Sequence, residues 1–336
     1  GKFITRHDRP RALVAFQDMG STPYHAPDID FLDFIGLVDS TVAHARYEYG
    51  LHAFLATDAA KNQPLYDAEM RKYFYERNPE WTILTTYIPE PVMGQVSQKF
   101  ANDPSPRSLL PYLRQNGYQF GITDERFDKS YVHVRTWARS AGYYLSLYRR
   151  ADLWNQIPGE VVLDAPPPGI GGHKAKFEHV GAALSGAAQP VIELLGSEIQ
   201  PSSKQRYEAF FTTWWRVPGP LEPDTYIFFH VERPEGPDQK PYRAPFDTLP
   251  GDWMYPADRW KPGQIIEHRV LFQVPWDMPM GEYKVMMGLY RKKTGERLKI
   301  IEGGNDGQNR LELGPFEITK LSPPWDELIP RCVPEV

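Results

Sequence analysis

Trp253 to Arg297, WMYPADRWKPGQIIEHRVLFQVPWDMPMGEYKVMMGLYRKKTGER, reads as an aromatic loop, two strands of a β-sandwich and the hairpin after them. From Gln264 onward, Ile266, His268, Val270, Phe272 and Val274 fall on one face. Ile265, Glu267, Arg269, Leu271 and Gln273 fall on the other, the period of two expected of a half-buried strand. Pro275 stops it, because proline has no N–H to give a ladder. The alternation resumes after Pro279 and Gly281, with Tyr283, Val285, Met287 and Leu289 opposite Glu282, Lys284, Met286 and Tyr290. Lys292-Lys293-Thr294-Gly295 then turns the chain, and Arg297-Leu298-Lys299-Ile300 is expected to return beside the strand just left.

Working outward, further strands are expected at Val191–Leu195, Tyr207–Trp215, Tyr226–Val231 and Leu311–Ile318. On the strand from Tyr226, Tyr226, Phe228 and His230 share one face and Ile227, Phe229 and Val231 the other, and one of the two must be core. Asn305-Asp306-Gly307 marks a late loop, and Pro323-Pro324 opens an irregular tail over 321–336.

The first half has a different texture. Ala12–Phe16 and Trp81–Ile88 are short apolar runs that suit buried parallel strands. Leu65–Arg77 carries Leu65, Ala68, Tyr73 and Phe74 near helical spacing, and a second helix is expected at about 107–115, stopped by Asn116-Gly117. Tyr118–Ile122, Val132–Arg135 and Tyr143–Tyr148 complete a set of strands. Breakers concentrate between Asn155 and Gly172, in Pro158-Gly159, Pro166-Pro167-Pro168-Gly169 and Gly171-Gly172. The expectation is an α/β domain over 1–157 followed by an all-β, Ig-like or jelly-roll-like sandwich over 158–320.

Composition bounds the function. The 33 prolines of 336 residues argue against a helical bundle and for strands joined by stiff loops. A net charge of −5 offers no handle for nucleic acid or an anionic membrane. Cys332 is the single cysteine, so neither an intrachain disulfide nor a multi-thiolate metal site can form. No stretch approaches the roughly 20 apolar residues that span a bilayer, and Gly1–His7 is not a signal peptide. The abrupt start is consistent with a piece of a longer protein whose membrane segment precedes Gly1, the plain alternative being a complete cytosolic protein.

No autonomous catalytic motif is found: there is no Gly-x-Ser-x-Gly, His-Glu-x-x-His, phosphate loop or dinucleotide fingerprint, and no cofactor is expected. His173 and His179 have a spacing that could reach a metal, but without an acidic or thiol partner a surface loop is the simpler reading and no metal is expected. In the first half, Asp18, Asp30, Asp33 and Asp39 gather after a buried strand, where α/β crevices form. For Asp33 and Asp39, capping and turn-orienting roles outweigh a catalytic one. In the second half, Asp252-Trp253-Met254-Tyr255 and Asp258-Arg259-Trp260 supply flat rings and hydroxyl-fixing charges on a loop expected to be exposed, the combination that suits a pyranose. The alternative, in which Trp253, Tyr255 and Trp260 pack on the sandwich edge or the first domain, is weighed above it. His268 is read as a hydrogen-bonded core histidine.

Asp33-Phe34-Ile35-Gly36-Leu37-Val38-Asp39-Ser40-Thr41-Val42-Ala43-His44 resembles the Asp-x-x-Gly-Leu-x-Asp-x-x-Ile-Ala segment of bacterial C-type glycosyltransferases that use polyprenyl-phosphate sugars. These are relatives of protein mannosyltransferases and arabinosyltransferases. Asn78–Leu84 and Tyr148–Leu153 are similar to later segments of the same domain, in the same order. Glu193–Gly196, Tyr226–His230, Trp260–Gly263 and Gly281–Tyr290 resemble the sandwich that follows it in some such enzymes. The family's catalytic acid lies between early transmembrane helices that this chain lacks, and His44 stands where the family commonly has Arg. The resemblance therefore implies an extracytoplasmic region, in periplasm or cell envelope, tethered through the parent's membrane helices. Its role would be to support the enzyme or hold an oligosaccharide or polyprenyl-linked glycan, without catalysing transfer alone. The candidate glycan-facing residues are Trp253, Tyr255, Arg259, Trp260, Asp252, Asp258 and His230, with Asp18, Asp33, Asp39 and His44 as a crevice in the first domain. Competing classes are a non-enzymatic protein-interaction or carbohydrate-binding module and a free-standing carbohydrate hydrolase, which needs two carboxylates facing each other across a cleft.

Overall fold

The structure, a computed structural model, describes residues 2–8, 10–16, 26–51, 59–87, 124–138, 143–178, 191–201, 208–235, 241–275 and 278–318. The expected helix at 107–115, the strand at 118–122, Asp18, His179 and the tail at 321–336 lie outside these residues. The chain is rich in strand and divides into two compact units, Gly1–Gln156 and Ile157–Val336. Among the described residues no helix is long and apolar enough to cross a membrane.

In the first unit β1 (Leu13–Phe16) lies parallel to both β2 (Asp30–Asp33) and β3 (Trp81–Tyr87). β4 (Tyr131–Ala138) and β5 (Tyr143–Arg150) extend the sheet antiparallel, in the order β2-β1-β3-β5-β4. Trp81–Tyr87 is thus parallel to one neighbour and antiparallel to the other, not a strand of an all-parallel sheet. Among the described residues five helices accompany it: α1 (Lys2–His7), α2 (Ser40–Glu48), α3 (Ala59–Arg77), α4 (Arg126–Ser130) and α5 (Ala151–Trp154).

α3 buries Tyr66, Met70 and Phe74, spaced four apart and therefore on one stripe. Leu65 and Ala68, expected on the apolar face, point outward instead. Phe74 is the hub, with ring centroids 5.7 Å from Phe34, 5.6 Å from Tyr131 and 6.5 Å from Phe127. The helix ends where Asn78 takes a left-handed φ of 48° and donates its N–H to the Phe74 carbonyl, with Pro79 next in line. β3 begins immediately, and Trp81 is held by Asp8, which accepts from the indole Nε1 at 2.6 Å and pairs with Arg149 at 3.3 Å.

The second unit is β-sandwich-like. One sheet runs β14-β7-β8-β9-β12-β6 and the other β11-β10-β13-β15, with every observed pairing antiparallel. The ranges are β6 (Val162–Leu163), β7 (Ala175–Glu178), β8 (Val191–Pro201), β9 (Glu208–Arg216), β10 (Thr225–Arg233), β11 (Tyr242–Thr248), β12 (Ile265–Gln273), β13 (Gly281–Arg291), β14 (Lys299–Gly303) and β15 (Leu311–Ile318). Phe211 and Phe272 of the first sheet stack at 5.2 Å. Phe229 lies 5.5 Å and Phe316 5.9 Å from Phe211, so rings from both sheets meet in one interior.

The hairpin after β13 departs from expectation. Its turn closes through one bridge, Tyr290 to Arg297, and the Leu298 N–H bonded to the Leu289 carbonyl. The chain then leaves, and β14 pairs with β7 in the opposite sheet. Leu298 and Ile300 are buried, and the core stays closed because the chain crosses between sheets at this corner.

Candidate functional site

In the first unit, the Asp33 carboxylate is fully buried and accepts backbone N–H bonds from Ile35, Leu37 and Val38. Gly36, at φ +80°, makes the turn possible, since a Cβ there would sit 2.8 Å from the Ala43 nitrogen. Asp39 caps α2, accepting from Thr41 and Val42, and also receives the Tyr73 hydroxyl at 3.1 Å. His44 is exposed, its Nδ1 2.7 Å from the Ser40 carbonyl one turn earlier. Asp30 makes a surface ion pair with Arg11 at 3.1 Å. Asp33 and Asp39 thus spend their oxygens on the local backbone, and Asp33 has no surface to offer a substrate.

In the second unit the loop after β11 is not the exposed surface expected. Asp252, Tyr255 and Trp260 are 2%, 1% and 2% exposed. Gly251, Asp252 and Trp253 are consecutive left-handed residues, at φ 62°, 49° and 75°, which curls the loop inward. The polar ends of two of its rings are satisfied within the loop: the Tyr255 hydroxyl donates to the Arg259 carbonyl at 2.7 Å and Trp260 Nε1 to the Tyr255 carbonyl at 3.2 Å. Arg259 lies over the Tyr255 ring, and of residues 251–260 only Asp258 is exposed. Burying the Tyr255 and Trp260 rings outweighs displaying them once the phenol hydroxyl and the indole N–H each have a partner.

His268 is a core histidine. It is fully buried, stacked 5.9 Å from Phe229, and its Nδ1 accepts the Asp252 N–H at 3.2 Å. That bond selects the tautomer with the proton on Nε2, which no acceptor among the described residues reaches. Desolvation lowers its pKa to about 4, against a weaker upward pull from Asp252.

Two of the expected residues, Trp253 and His230, do meet on one surface, the outer face of the β11-β10-β13-β15 sheet. Ile227, Phe229 and Val231 of β10 point into the sandwich, so Tyr226, Phe228 and His230 point out. Trp253 stands edge-on to Tyr226 at 5.7 Å, and Tyr226 is 5.9 Å from Tyr290, its cross-strand partner on β13. Tyr290 is 5.9 Å from Phe228, and Phe228 is 4.7 Å from His230. Five rings therefore form one row. Trp253, Tyr226 and Tyr290 are half-buried, whereas Phe228 and His230 are covered.

Arg297 lies over Phe228 and is bonded to the Gln308 carbonyl of the adjacent 305–310 loop, which is stiffened from within. Asn305 Oδ1 accepts from Gly307 and Asn309, and Asp306 Oδ1 from Gln308 and Arg310. Gly288 lets the loop approach: a Cβ there would lie 2.5 Å from the Phe228 ring and 2.9 Å from the Asn309 carbonyl. Gly288→Val is accordingly expected to lower stability by about 1–3 kcal/mol through overpacking. Urea denaturation checks this, with Gly304→Val as a control whose Cβ meets only a flexible Leu311 methyl.

Charged groups border the row. Lys292 Nζ lies 5.5 Å and 5.9 Å from the Tyr226 and Tyr290 ring centres. Asp247 accepts the Tyr290 hydroxyl at 2.8 Å, and burial followed by Asp247 raises the phenol pKa. At the other end, Arg243 lies 2.8 Å and 3.0 Å from the two ring nitrogens of His230, and Arg297 stacks 5.1 Å over Phe228. Burial and then Arg243, Arg310 and Arg297 lower the His230 pKa to about 4, so the ring is neutral at pH 7. Tyr290, Lys292, Asp247, Arg243, Arg297 and Arg310 went unremarked as site residues in the sequence. The two strand alternations that put Tyr226 and Tyr290 on non-core faces were the available signal.

Among the described residues, no three His, Cys, Asp or Glu come together as a metal site would require. By sequence, the family described as a domain of unknown function (DUF8728) matches residues 1–148, the greater part of the first unit and none of the second. No curated protein matches.

Proposed function

We propose that the outer face of the β11-β10-β13-β15 sheet accommodates a glycan, and that the chain is a non-catalytic extracytoplasmic region of a polyprenyl-phosphate-sugar membrane glycosyltransferase. In this reading an α/β domain carries a β-sandwich, and the whole is tethered through membrane helices of the parent enzyme. The observation that carries the glycan part is the ring row from Trp253 to His230 with charged groups along its edge. Pyranose C–H faces pack on half-buried aromatic rings, while Lys292 and Asp247 are set to bond hydroxyls beside them. The glycosyltransferase part rests on the ordered sequence resemblance in both halves.

Calorimetric titration with an oligosaccharide panel tests the glycan part. Trp253→Ala is expected to weaken binding about tenfold, the value of one well-placed aromatic contact of about 1.4 kcal/mol. Trp260→Ala is expected to act on stability alone, since Trp260 is buried. Absence of saturable binding to every saccharide in the panel removes the reading. A protein-docking role has one observation in its favour: Leu37 and Val38, 73% and 68% exposed, sit side by side on the turn held by Asp33.

A further inference from the structure

We propose that this face selects an acidic saccharide, with a sugar carboxylate received by Arg297 and Arg243 at the His230 end of the ring row. The inference rests on the glycan reading and names its ligand class. Three guanidinium groups, Arg243, Arg297 and Arg310, converge around His230, opposed by the carboxylates of Glu232 and Asp306. Arg310 is paired with two carboxylates, Glu232 and Asp306, each at 2.7 Å. The other two are not.

Arg297 gives one N–H to the Gln308 carbonyl at 2.8 Å and rests on Phe228, with no carboxylate at ion-pair distance among the described residues. Arg243, half-exposed, reaches Glu232 at 3.3 Å through Nε and turns one Nη toward the neutral His230. A guanidinium carries five donors in a planar fork, so both retain N–H groups for an incoming carboxylate. Two carboxylates against three guanidinium groups leave a positive surplus, and the cluster is partly desolvated, where such a surplus attracts an anion more strongly than in water. Arg243 also lines a groove of about 510 Å3 together with Tyr242, Arg233 and Lys284. The surface thus continues past the cluster with room for a further sugar.

The test is titration of the whole chain with acidic hexasaccharides, one of galacturonate and one alternating glucuronate with N-acetylglucosamine. Each is paired with its carboxyl-reduced, neutral counterpart. The acidic forms are expected to bind at least about tenfold tighter, and the preference to shrink as salt rises. Arg297→Gln is expected to cost about tenfold against the acidic forms and to leave the neutral ones within about twofold, while Arg297→Lys keeps part of the preference. Thermal melting of each variant establishes that it is folded, and Arg243→Gln provides the same comparison should Arg297→Gln not fold. Equal affinity for acidic and neutral forms overturns this inference and leaves the glycan reading standing, as does a preference that survives both Gln substitutions. Failure of every saccharide to bind overturns the two together.

Discussion

Asp33→Ala is expected to destabilise the first unit by about 3 kcal/mol, because one buried carboxylate satisfies three backbone donors that alanine would abandon together. A single charged hydrogen bond contributes about 1.5–3 kcal/mol, and the three donors lie on a partly exposed turn where water can replace some of the loss. Asp33→Asn keeps one accepting oxygen and is expected to fall between the two. The consequence reaches the core, because Phe34 and Val42 flank this turn and pack in the cluster around Phe74. Urea denaturation followed by near-ultraviolet circular dichroism measures the change. A variant within about 0.5 kcal/mol of the parent, the range of an ordinary surface substitution, would show that the turn holds without its carboxylate.

The second unit is expected to lose about 3 kcal/mol between pH 7 and pH 4 through His268 alone. The group titrates near 4 when folded and near 6.5 when free, so in falling pH the unfolded chain takes up the proton first. Its contribution is intact above about pH 6.5 and drains away as the pH drops through the interval to about 4. Protonation would also remove the lone pair that accepts the Asp252 N–H, releasing the left-handed stretch that sets Trp253 against Tyr226. His268→Leu should be less stable at pH 7, where that N–H loses its acceptor, yet flatter with pH. Denaturation midpoints at pH 7, 6, 5 and 4 give both numbers. An unchanged pH slope in His268→Leu would assign the second unit's acid sensitivity elsewhere, for instance to His230, also lowered to about 4 by burial and the neighbouring arginines.

The alternation of Ile266, His268, Val270 and Phe272 translated directly into an inner strand face, and so did Tyr283 to Leu289, because a pleated strand has one geometric consequence: a period of two. The helical pattern at Leu65–Arg77 identified the element but not its face. Apolar and aromatic residues lie all round it, and the sheet selected Tyr66, Met70 and Phe74. The aromatic loop was open to two readings. A Trp-Tyr-Trp cluster next to Asp and Arg suits a displayed surface, but packing was weighed above display, and three successive left-handed residues fold the loop inward and bury Tyr255 and Trp260. The left-handed backbone of Trp253 has no signature in its residue type, since a bulky side chain disfavours it.

The amino-acid order alone determined where strands begin and end around β12, β13 and β15, that proline-bounded β structure dominates, and which side chains of those strands face inward. These follow from local rules, hydrophobic alternation and the missing proline N–H. Only the tertiary structure decided that β14 crosses to the opposite sheet, that Tyr226 and Tyr290 meet across a ladder, and that Arg243, Arg297 and Arg310 converge on His230. The reason is physical. Those contacts join residues far apart in the chain, and no local preference encodes which strand becomes the neighbour of which once a shared core has to be closed.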